Sequence, residues 1–144
     1  MTAAPDPEEL LVGAHLSPRR HGPAAADQWA SVIADLLARP SEPAAFRALL
    51  ALSDDLAAAS PEEVLALTRV EPPSCGVTRF DAGLAAVVEY HCLARSLPPP
   101  PWVNAPDRFL TSPWMASPHT DLTDVPVSFR VRGIILAESE LASI

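Results

Sequence analysis

Apolar side chains recur at three- and four-residue steps over the first two thirds of the chain. Between Ala25 and Arg39 they fall at Trp29, Val32, Ile33, Leu36 and Leu37, which is one face of a helix. Asp27 near the start and Arg39 at the end suit the helix dipole, and Pro40 stops the segment. A second helix is expected from Ser41, its N-cap candidate, to Ala59, with Phe46, Leu49, Leu50, Leu52 and Leu56 turned inward. So short a link predicts an antiparallel pair. Ser60-Pro61-Glu62-Glu63 then combines an N-cap serine, a proline at the first helical position and a glutamate three residues after the cap, which starts a short helix ending by Val70. After the loop Glu71 to Gly76, a longer helix is expected from Thr78 to about Ser96. Phe80, Leu84, Val87, Val88, Tyr90, His91 and Leu93 spread around most of its circumference, the pattern of a central helix.

The period breaks at both ends of this helical stretch. Met1 to Ala24 mixes four prolines and two glycines with the apolar patch Leu10-Leu11-Val12, so residues 1–24 read as a flexible arm. From Leu97 onward prolines and tryptophans dominate. Pro98 to Pro101 fall into a stiff polyproline II segment that leads to Trp102. Their PxxP spacing is that of an SH3 ligand, but a structural strap is the plainer use. Ala105 to Leu110 predicts one helical turn, Pro113-Trp114-Met115 follows, and Asp124-Val125-Pro126 opens a short helix through Ser128, Phe129 and Arg130 that Gly133 ends. A strand competes there, because Val125, Val127, Phe129 and Val131 alternate with other residues at a period of two; Pro126 and Gly133 favour the helix. Ile134-Ile135-Leu136 reads as extended, and Glu138 to Ser143 as a last helical turn.

At 144 residues the chain suits one domain with its own core, 25–144, divided into a helical body, 25–96, and a strap, 97–144. The expected fold is mainly α: an irregular four- to five-helix bundle with a proline/tryptophan-rich C-terminal strap that has room for one short strand. The net charge is −8 and all ten cationic residues are arginines. That balance gives no help toward a phosphate backbone, which disfavours nucleic acid as a partner, and it makes a basic protein surface the complementary one. No apolar run reaches membrane-spanning length, and Met1 to Glu9 lacks the features of a signal peptide, so a cytoplasmic location is expected.

Candidate chemistry is sparse. There is no glycine-rich phosphate loop, no GxSxG elbow and no Cys/His spacing for a metal, so neither cofactor nor metal is expected, and no enzyme. Cys92 reads as a buried small hydrophobe, and Glu62 and Glu63 are explained by the helix cap. His119 with Asp121 and Asp124 is accounted for by turn formation. Arg130 and Arg132 flank Val131, so in a helix they point about 160 degrees apart; one can stack on Trp102 or Trp114 while the other stays available. Tryptophan and arginine are the residue types that dominate interface hot spots, which makes Trp102, Trp114, Phe129, Arg130 and Arg132 the candidate partner-binding set.

The order Trp102, Pro113-Trp114-Met115, then Phe129-Arg130-Val131-Arg132-Gly133 with the apolar triplet Ile134-Ile135-Leu136, resembles a block in small uncharacterised bacterial proteins. Such proteins are often encoded beside nucleotidyltransferase-like toxins, so the resemblance implies an antitoxin-like role in which a protein partner is bound and neutralised. The chain departs from that block at Met115, where an aromatic is usual, and at Val125-Pro126, where the usual pair is Ser-Pro. It also lacks the turn between two recognition-type helices that a DNA reader carries ahead of the block. The alternative is a small enzyme or ligand-binding domain, its pocket lying between the central helix and the strap and drawing on Glu89, His91 and His119. The sequence leaves a homo-oligomer open.

Overall fold

The computed structural model describes residues 22–39, 41–118 and 120–141. Residues 1–21 of the expected arm, the helix stop at Pro40, His119 and the last three residues lie outside them. The fold is mainly α, a small helical bundle, and the helices fall where the apolar period places them: α1 Ala26–Ala38, α2 Glu42–Ala58, α3 Pro61–Thr68 and α4 Thr78–Ala94. Trp29 at the start of α1 donates its indole N–H to Asp55 Oδ2 near the end of α2 at 2.9 Å, and the Ala24 amide donates to the same oxygen at 3.1 Å. The two helices therefore run antiparallel, and the buried Asp55 carboxylate accepts from both donors.

Helix α3 starts on a complete capping box. Ser60 Oγ accepts the Glu63 amide at 3.2 Å, and Glu63 Oε1 accepts the Ser60 amide at 2.8 Å. The central helix is α4, in which every residue from Phe80 to Val88 is buried. Small residues let it come close to α2: a Cβ placed on Gly83 would stand 2.9 Å from Leu49 Cδ2. Arg95, just past the end of α4, donates through Nη2 to the carbonyls of Leu56, Ala57 and Ala59 at the C-terminal end of α2.

The strap does not stand away from this body. After the extended prolines a 3-10 turn, Pro101–Asn104, folds Trp102 and Val103 inward, and a second, Pro106–Arg108, does the same for Arg108. Strand β1, Trp114–Met115, pairs in parallel with β2, Ile134–Ile135, with Trp114 opposite Ile134. Between them a 3-10 turn at Leu122–Asp124 leads into the one-turn helix α5, Val127–Arg130, so the helix and not the alternating strand forms there. Gly133 has φ +83, the left-handed position that ends the turn and starts β2. The last turn, Glu138–Leu141, is 3-10, and Glu138 Oε2 accepts the Tyr90 hydroxyl at 2.6 Å. Among the described residues no helix is long and apolar enough to cross a membrane.

Candidate functional site

The five residues expected to face a partner do not share one surface. Trp102 is buried, donates its indole N–H to the Thr68 carbonyl at 2.9 Å, and carries the Arg108 guanidinium 4.9 Å above its ring. Phe129 is fully buried beside Tyr90, with ring centroids 6.3 Å apart. Trp114 is half-buried, and its indole packs on Phe80 at 5.1 Å and edge-on to Phe46 at 6.0 Å. Only Arg130 is exposed.

Arg132 is the clearest departure from expectation, because it is 1% exposed. Its Nη1 donates to Glu89 Oε1 at 2.6 Å and to the Ser128 carbonyl at 2.8 Å, and its Nη2 donates to the Val103 carbonyl at 2.7 Å. The ring under its guanidinium is Phe109, at 4.7 Å, and neither of the expected tryptophans. A buried cation is tolerated only when paired and hydrogen-bonded, and arginine's planar fork can reach a carboxylate and two carbonyls at once. Burial removes Trp102, Phe129 and Arg132 from any preformed contact surface; they fasten the strap to the body.

Arg108, which the sequence reading passed over, is a second such fastener. It is 3% exposed, donates to the Asp81 carbonyl at 3.1 Å and the Pro72 carbonyl at 2.7 Å, and lies 3.7 Å from Glu71. Each of the two arginines leaves its Nε without a hydrogen-bond partner among the described residues, a cost the other bonds offset. The visible signal for Arg108 was a lone arginine beside Phe109 in an aromatic and proline-rich stretch.

Of the residues of the ligand-binding alternative, the two that are described, Glu89 and His91, are each held by another side chain. Glu89 is committed to Arg132, and His91 is buried with its Nε2 2.8 Å from Ser53 Oγ. Burial, with the nearby Arg95 charge, holds the His91 imidazole down to about 4, so it is neutral at ordinary pH. His119 lies outside the described residues. A cleft of about 600 Å³ does lie between the start of α4 and the strap, lined by Thr78, Arg79, Phe109, Thr111, Ser112 and Trp114 among others. Neither cysteine is poised for chemistry: burial pushes the Cys75 thiol up to about 12, and it raises that of Cys92 too. Among the described residues no group of three metal-ligating side chains comes together.

Of the large apolar side chains exposed among the described residues, three lie on α5 or beside it. Leu122, Val127 and Val131 are 53%, 52% and 56% exposed. Val127 and Val131 are four residues apart and share a helix face, and Arg130 Nη1 donates to the Leu122 carbonyl at 3.3 Å, which draws the preceding turn against the helix. Asp121 and Asp124, both exposed, bracket that turn. No protein-family model, curated protein or solved structure matches the chain.

Proposed function

We propose that the protein is an interaction module of the antitoxin-like kind, which binds and neutralises a partner protein through the outer face of α5 and the turn before it. The observation that supports this reading is the cluster of three half-exposed aliphatic side chains, Leu122, Val127 and Val131, around the exposed Arg130. Clustered apolar groups left in water beside an arginine are the material of contact surfaces, whereas single ones are ordinary. Asp121, Asp124 and the net charge of −8 make the fitting partner a protein whose apolar contact residues are ringed by cations. A nucleotidyltransferase-like toxin encoded next to this chain is the candidate that the C-terminal block suggests. The buried strap residues then serve the function indirectly, by holding α5 rigid.

The experiment is co-expression with the product of the adjoining reading frame, followed by co-purification and growth measurement. The wild-type chain is expected to co-purify and restore growth. The Val127→Asp/Val131→Asp double variant is expected to melt within a few degrees of wild type yet lose the complex. A complex that survives the double variant, or no complex with the wild type, would refute the reading. The cleft beside Trp114 favours a second reading, ligand binding, under which Trp114→Phe weakens a ligand while the α5 variants leave it unaffected.

A further inference from the structure

The outer face of α3 carries a pattern that is its own complement, and from it we infer that the protein self-associates through an antiparallel α3–α3 contact. Glu62, Leu65, Ala66 and Arg69 are all exposed. At about 100 degrees per residue they fall within one stripe of the helix. Leu65 is 41% exposed, and beside it the extended Pro98 to Pro100, with Pro101 at the start of the following turn, form a wall, leaving a groove of about 590 Å³. Glu62 and Arg69 stand at opposite ends of the stripe, roughly 10 Å apart along the axis. Neither has an ion-pair partner among the described residues, where the salt bridges are Arg79–Glu42, Arg108–Glu71 and Arg132–Glu89.

The midpoint of this stripe lies between Leu65 and Ala66, with Glu62 and Arg69 equidistant from it. Reversing the helix therefore exchanges glutamate for arginine and leucine for alanine. When one protomer's α3 lies antiparallel on its partner's, each Glu62 faces an Arg69, each Leu65 faces an Ala66 across the twofold axis and enters the groove beside the facing prolines, and the small Ala66 lets the backbones approach. That is an isologous contact, closed at two copies. A ligand with charge of one sign would leave either Glu62 or Arg69 opposite a like charge, which is why a second copy fits better than a foreign basic or acidic segment. The surface is separate from the α5 patch, so both contacts can form together.

The test uses the full chain in sedimentation equilibrium across the micromolar range. Wild type is expected to show a concentration-dependent dimer. Glu62→Arg and Arg69→Glu should each weaken it by about tenfold or more, because each places like charges opposite one another. Mixing the two variants should restore the dimer as a heterodimer, since every arginine then faces a glutamate again. Restoration also shows that both variants are folded, a point checked independently by their circular-dichroism melts. A wild-type chain that stays monomeric, single variants that dimerise as tightly as wild type, or a mixture no tighter than its components would each overturn the inference.

Discussion

His91 sits buried on α4 against Ser53, and its imidazole is held near 4 by desolvation and by Arg95. In the unfolded chain the same group titrates near 6.5. The folded pKa is the lower of the two, so the unfolded state binds the extra proton. The contribution is fully present above pH 6.5 and is lost as pH falls from there toward 4. Urea unfolding should show stability dropping by up to roughly 1.4 kcal/mol per pH unit across that window, and His91→Gln should flatten the drop. An unchanged slope in the variant would place the pH dependence elsewhere. Arg132 carries the larger single contribution. Arg132→Met leaves Glu89 half-buried without its cation and should cost about 3–4 kcal/mol in urea unfolding, whereas Arg130→Glu should stay within about 0.5 kcal/mol. That the two arginines point apart followed from their spacing only once a helix was preferred to a strand there. Which one turns inward was not, because the choice is made by Glu89, 43 residues earlier, and by the Val103 carbonyl.

Helices were the most legible elements, because each writes its buried face at a local period and its ends in local residues. The α3 cap is the sharpest case, and Ser60→Ala should lower stability by about 1 kcal/mol in thermal or urea melts. Close packing was less visible. Gly83 sits inside α4, where glycine weakens a helix, and only the 2.9 Å approach to Leu49 explains it. Gly83→Val should therefore cost about 2–3 kcal/mol through overpacking, while the same change at exposed Ala57 stays small. The parallel pair of Trp114–Met115 with Ile134–Ile135 could not be read, since two residues carry no period and the partners lie 20 positions apart. The alternation from Val125 to Val131 suggested a strand for a local reason. Apolar residues stand at every second position there, yet in the folded chain Val127, Arg130 and Val131 face out while Ser128, Phe129 and Arg132 face in, a helical spacing that the apolar alternation does not follow.

At the scale of the whole molecule, Trp102 and Arg132 were expected among the partner-binding residues of a strap stiffened by its prolines. The extended segment is there, but 3-10 turns after it reverse the chain so that Trp102, Arg108 and later Arg132 close onto the bundle. An aromatic and cationic stretch is compatible with a core or an interface, and sequence offers no local mark that separates them. Here the mark is the set of carbonyls at Thr68, Pro72 and Asp81 on the body and at Val103 on the strap itself, brought into place only once folded. The account that results makes the strap part of the cooperative unit and leaves the α5 face as the surface it supports. Native-state hydrogen exchange tests this most directly. The amides of Leu110, Trp114 and Ser117, bonded to the carbonyls of Arg132, Gly133 and Ile135, should exchange with the same opening free energy as the core of α4. If those amides exchange through a cheaper opening while α4 stays protected, the strap is a separable appendage and the account is wrong.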